Sequence, residues 1–152
     1  MLGSITFRAL GISARRILDR LLYEHMSHGG AENGNLGATY AQIEIWGVTA
    51  ADVRKGLAEL YVTGFVRQTA QGCFTIGGKV LSRYALTWLP TGRGKAAVPP
   101  THDWLTVIEA LHDQKIGSIA AARAWLRAEV ADHARPTQTL ASQVAVLRLV
   151  KR

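Results

Sequence analysis

Residues 48–64, VTAADVRKGLAELYVTG, constrain this chain more than any other stretch. Thr49 is a good helix N-cap, and Asp52 three residues on gives a capping-box-like pair with an acid near the positive helix end. Val53, Leu57 and Leu60 recur at i, i+4 and i+7, so they share one face that has to pack on a core. Gly64 stands where such a helix needs a left-handed cap, and Phe65-Val66 continue as an extended run. The face away from Val53 and Leu57 carries Lys55 with Ala51, Ala58 and Val62, and Arg54 flanks it. Small residues with two cations suit a helix lying close to a nucleic-acid groove.

The flanking segments extend this pattern. Thr39 is placed to cap a short helix, YAQIEIWG, with Tyr40, Ile43 and either Ile45 or Trp46 facing inward, and Gly47 supplies a sharp turn. Two short helices joined by a Gly-containing turn make a helix-turn-helix pattern. Upstream, Ser13 is an N-cap candidate for ARRILDRLLYEHMSH, whose stripe is Ile17, Leu18, Leu21, Leu22 and Met26. Arg15, Arg16 and Arg20 lie off that stripe, as phosphate contacts or as an ordinary solvated face. Gly29-Gly30 end this helix, AENGNLG reads as a turn, and residues 36–39 suit a short strand. Residues 1–12 are weakly patterned and are expected to cover the first helix or an edge. Downstream, residues 65–69 alternate as a strand whose partner is YALTWL at 84–89, with 70–83 protruding between them as a wing.

Pro90 closes that unit, and TGRGKAAVPPT has the Gly, Pro and small-residue composition of a linker over residues 91–101. Beyond it, residues 103–114 read as a helix. Ser118 caps a second one with Ile119, Ala122, Leu126 and Val130 on one stripe. Residues 140–150 fit helix or strand, and helix is the preferred reading. The expected fold is therefore mainly α with a small antiparallel β-hairpin. It consists of a winged helix-turn-helix over 8–90, a linker over 91–101 and a helical extension over 102–152. Fifty residues are few for an independent core, so Trp104, Leu105, Ile108, Leu111, Trp125 and Leu126 are expected to fold back or to mediate a homodimer.

The segments ARRILDRLLYEHMSHGGAENGNLGATYAQ, GVTAADVRKGLAELYVTGFVR, SRYALTWLPT and PPTHDW together resemble an uncharacterised group of winged helix-turn-helix proteins of bacteria, often carried on phage-like or other mobile elements. The resemblance covers about two-thirds of the chain, from Phe7 to Trp104. It implies a DNA-binding fold with roles in transcription or replication initiation. The patterned apolar residues beyond Trp104 depart from the short basic tail that the group leads one to expect.

Charge agrees with a polyanionic partner. The net charge is +7, with nine Lys and Arg against six acids in residues 1–92 and nine against five beyond. Candidate DNA-binding residues are Thr49, Ala51, Arg54, Lys55 and Ala58 on the helix, with Arg67, Lys79 and Arg83 on the hairpin. Arg54 and Lys55 suit phosphates or base edges, Thr49 a phosphate oxygen, and the alanines a thymine methyl. The helix lacks Asn and Gln and has one Arg for guanine, so direct base readout is thin, and Asp52 and Glu59 flank the face.

Other chemistries find little in the residues. Cys73 is the sole cysteine, so no disulfide framework exists, and it lacks an adjacent catalytic partner. His25 and His28 do not make a zinc ligand set. GGAENGNLG and GRGK lack phosphate-loop spacing, and neither a nucleophile elbow nor a helical H-E-x-x-H is present. An enzyme, a metal and a cofactor are therefore not expected. No apolar run reaches the ~20 residues of a membrane span, and MLGSITFRALG lacks the marks of a signal peptide. The expectation is a cytoplasmic, nucleoid-associated protein that binds duplex DNA as a transcriptional or mobile-element regulator. The alternative is a protein–protein module in which Ala51, Ala58 and Val62 form an apolar docking face, and an RNA or replication-origin ligand would use the same residues.

Overall fold

The computed structural model describes residues 1–76, 78–92 and 96–133. Helices α1 (Ile5–Ala9), α2 (Ile12–Ser27), α3 (Tyr40–Ile45) and α4 (Ala50–Val62) come first. Strands β1 (Val66–Ala70), β2 (Cys73–Thr75), β3 (Gly78–Val80) and β4 (Arg83–Leu86) follow, then helices α5 (Asp103–Asp113) and α6 (Ile119–His133). The described chain is thus mainly helical with a small antiparallel sheet. No helix among the described residues is long and apolar enough to cross a membrane. The 140–150 segment lies outside them.

Helix α2 buries Ile17, Leu18 and Leu21 against α4, while Met26, expected on that stripe, is exposed. It starts at Ile12 with Gly11 as its N-cap, earlier than the Ser13 expected. The reason is long-range: the Glu59 carboxylate of α4 accepts the Gly11 N–H at 2.8 Å. Gly56 lets the two helices close up. A Cβ there would meet Ile17 Cδ1 at 2.7 Å and the Ala14 nitrogen at 3.2 Å.

The α3–α4 corner follows the sequence signals closely. Thr39 and Gln42 form a full capping box, the hydroxyl accepting the Gln42 N–H and the amide oxygen accepting the Thr39 N–H. Ile43 is buried, and of Ile45 and Trp46 it is Trp46 that turns inward, half-buried beside the Tyr23 ring, whereas Tyr40 faces solvent instead of the interior. Gly47 turns the chain at φ +78°, and the Arg16 guanidinium donates to its carbonyl at 2.6 Å. Helix α4 ends in a Schellman motif: the Phe65 N–H reaches Leu60 O and the Gly64 N–H reaches Tyr61 O, with Gly64 at φ +71°.

Strands β1 and β4 pair antiparallel, Val66 opposite Leu86 and Arg67 opposite Ala85, with a bulge between Gln68 and Ala70. Leu36 adds one bridge to Tyr84, where a strand over 36–39 was expected. Beyond the bulge, β2 and β3 form a separate two-stranded ribbon. Strand β4 stops at Leu86, short of the expected Leu89. The Leu89 N–H donates to Leu86 O at 3.3 Å, which turns the chain, while the Thr87 hydroxyl donates to Gly64 O at 2.7 Å and its N–H to Phe65 O. Asn33 locks the same corner from inside. Its amide nitrogen donates to Leu86 O, Leu89 O and Pro90 O, and its oxygen accepts the Leu86 N–H.

Phe65 is fully buried at the centre of the molecule. Phe7 of α1 and Trp88 meet it edge-on at 5.8 and 6.3 Å, and Trp104 of α5 stacks on it at 6.3 Å. Within the segment read as a linker Thr91 and Val98 pair, and just beyond it the His102 N–H donates to Thr87 O at 2.9 Å. Helices α5 and α6 then pack on α1, and α6 also packs on α4. Leu126 belongs to the same core cluster as Val53, Leu60 and Phe65. The C-terminal helices are therefore part of one core with the rest.

Candidate nucleic-acid interface

Helix α4 presents two different halves to the outside. Its core stripe is Val53, Gly56 and Leu60. In the N-terminal half, Thr49, Ala51, Arg54 and Lys55 are all exposed. Neither Arg54 nor Lys55 has an ion-pair partner among the described residues. Thr49 sits at the N-cap but does not cap with its side chain. Its hydroxyl donates to the Asp52 carboxylate at 2.7 Å, which leaves the first-turn amides without a side-chain acceptor.

The C-terminal half is covered. Ala58, expected on the open face, is 6% exposed, and Val62 is half-buried. Helix α6 lies along this flank, with Leu126 buried and the His133 ring 5.9 Å from that of Tyr61. A thymine methyl cannot approach Ala58 in this state. Of the apolar docking face expected from Ala51, Ala58 and Val62, only Ala51 is fully open, with Ala58 buried and Val62 half-buried. Burial and the neighbouring Tyr84 push the Tyr61 hydroxyl pKa well up, so that hydroxyl stays protonated and neutral.

The hairpin residues divide as well. Arg67 is exposed on β1. Arg83 is half-buried and donates to Asn35 O at 3.2 Å, which braces the loop after α2 against β4. The side chain of Lys79, on β3, lies outside the described residues. The α2 arginines are all engaged within the chain. Arg15 donates to Phe7 O and Arg8 O and lies over the Phe7 ring at 5.4 Å. Arg16 holds Gly47 O, and Arg20, 4% exposed, pairs with Glu24 at 2.8 Å. Their periodicity placed them off the apolar stripe, yet none faces open solvent without a partner.

Two cations with no assigned role stand beside α4. Arg123 and Arg127 of α6 line a groove of about 240 Å³ with Lys55, Glu59, Leu126 and residues 9–12. A signal for them exists in the sequence: they are four residues apart, and neither has an acid three or four residues away on its own helix. What the sequence does not show is that α6 lands next to Lys55.

His25 is buried, which lowers its ring pKa, and His28 Nδ1 lies 2.9 Å from Glu24 O. Among the described residues no group of three His, Cys, Asp or Glu side chains is placed to hold a metal. Cys73 is exposed and unpaired. Of the six residues expected at a homodimer surface, Leu111 and Leu126 are buried within the chain and Trp104 stacks on Phe65. Ile108 and Trp125 are half-buried and Leu105 is exposed. No family model, curated protein or solved structure matches the chain.

Proposed function

We propose that this chain is a winged helix-turn-helix protein that binds duplex DNA, acting as a transcriptional or mobile-element regulator at the nucleoid. The observation that carries the reading is the exposed N-terminal half of α4, where Arg54 and Lys55 stand without acidic partners beside an uncapped helix start. Anions are favoured at such a start, and a recognition helix contacts base edges mainly through its N-terminal residues. The order of elements supports the same reading: a helix, the Leu36 bridge, two short helices about Gly47, then β1, a protruding ribbon and β4. Recognition is confined to Thr49, Ala51, Arg54 and Lys55, with Arg67 on the adjoining strand, because Ala58 is buried. A single copy is the binding unit, since Leu111, Leu126 and Trp104 of the expected dimer surface are used within the chain.

The test is fluorescence anisotropy with a mixed-sequence duplex at about 50 and about 200 mM salt. The chain is expected to bind at the lower salt and to lose affinity steeply at the higher. Lys55→Glu is expected to abolish binding while leaving the fold intact, as Lys55 is exposed. Unchanged affinity in that variant would remove α4 from the contact surface.

A further inference from the structure

Helix α6 packs along α4 and brings Arg123 and Arg127 to the edge of the groove that Lys55 lines. We propose that α6 is a second DNA-contacting element, whose Arg123 and Arg127 hold the phosphates of the strand bordering the groove that α4 enters. The proposal rests on the duplex-binding reading above and adds to it the element that grips the backbone.

Three observations support it. First, Lys55, Arg123 and Arg127 are exposed, and none has an ion-pair partner among the described residues. Like charges at i and i+4 repel, and a third cation across the groove adds to the repulsion, so the cluster is relieved by an external anion. Second, the acids nearby offset this charge only in part, since Glu59 sets one carboxylate against three cations that line the same groove. Glu59 lies at the groove floor, 9% exposed, with its carboxylate held by the Gly11 N–H. At 100° per residue, Glu129 and Asp132 fall roughly 140–200° around α6 from Arg127, away from Lys55. Third, the arginines of α2 that would otherwise flank α4 are tied to carbonyls and to Glu24, so α6 supplies the free guanidinium groups on this side. A guanidinium pair one helical turn apart, about 6 Å, is close to the spacing of successive phosphates on one strand. An extended phosphodiester therefore fits the cluster better than an isolated anion does.

The experiment uses the full chain and measures duplex affinity against salt for the unaltered protein and for the double variant Arg123→Ala/Arg127→Ala. Removing two phosphate contacts is expected to lower the slope of log affinity against log salt by about 0.9 per cation, equally for any sequence. Arg123→Lys/Arg127→Lys is expected to restore most of that slope. Lys115→Gln, which removes one charge at the turn between α5 and α6, is expected to leave it nearly unchanged. An unchanged denaturation midpoint in the alanine variant shows that the helix still docks. An unchanged salt slope in that variant overturns the role of α6, and a simultaneous loss of binding in Lys55→Glu would show that duplex binding through α4 stands. Displacement of the duplex by inorganic phosphate at constant ionic strength would reassign the groove to a free anion and overturn the proposal. Absence of duplex binding by the unaltered chain at low salt would remove both readings.

Discussion

Gly64 and Gly29 share a left-handed backbone, at φ +71° and +64°, yet they answer to different constraints. A Cβ at 29 meets nothing within 4 Å, whereas one at 64 would strike the backbone of Asp103 and Trp104 at 2.7 Å. Gly29→Ala is expected to cost about 1 kcal/mol, the ordinary charge for a side chain in that region. Gly64→Ala is expected to cost about 3 kcal/mol or more, because backbone atoms cannot move aside as a flexible side chain does. Urea denaturation of the two variants separates these cases. His25 supplies a second test at this scale. Burial lowers its pKa below the ordinary 6.5, so the unfolded chain takes up its proton first as the pH falls. Stability from the neutral ring is present above that value and is lost on acidification below it. The urea midpoint is expected to drop between about pH 7.5 and about pH 5.5, and to drop less in His25→Gln.

Among the elements, the strongest single tie is the loop between α2 and α3. Asn33 is 4% exposed and makes four hydrogen bonds to the backbone around the end of β4. Asn33→Ala leaves several buried backbone groups unsatisfied, and a loss of about 2–4 kcal/mol is expected by chemical denaturation. Leu126→Ala opens a cavity between α6 and the rest of the core, with an expected loss of about 2–5 kcal/mol. A near-neutral result would mean that α6 is only loosely docked. These two positions also mark how far the sequence can be read. Periodicity and capping residues located α2, α3, α4, α5 and α6, because those signals are local: the Thr39–Gln42 box and the Gly64 cap lie within one turn of what they act on. Asn33 looked like any turn residue since its partners lie more than 50 positions away. The α2 start shifted for the same reason, as Glu59 is 48 residues from Gly11. Helix α1, five residues long, is too short to show a period. Of the candidate contact residues, Thr49, Ala51, Arg54 and Lys55 are exposed as the helical pattern suggested, and Arg67 is exposed although strand alternation put it on the side of the buried Phe65. A helical wheel describes one helix and not its neighbours, so it could not show that Ala58 is buried or that Arg83 turns to Asn35.

For the molecule as a whole, the +7 charge matters less than which cations remain free. Arg15, Arg16, Arg20 and Arg83 hold carbonyls or Glu24, so they serve the architecture. Arg16→Ala is accordingly expected to lower stability by about 1–2 kcal/mol through the lost Gly47 link, and to leave the salt slope of duplex binding nearly unchanged. Comparing that slope with the one for Arg123→Ala/Arg127→Ala distinguishes a cation that builds the protein from one that meets a ligand. Phe65 brings a last consequence. Its ring is walled by side chains from near the start of the chain, from just after the hairpin and from α5, with its neighbour Gly64 pressed against that helix's first residues. An engineer trimming the polypeptide at Pro90 to obtain a minimal reader would uncover a large aromatic patch, and the fragment would be expected to clump before it met any ligand.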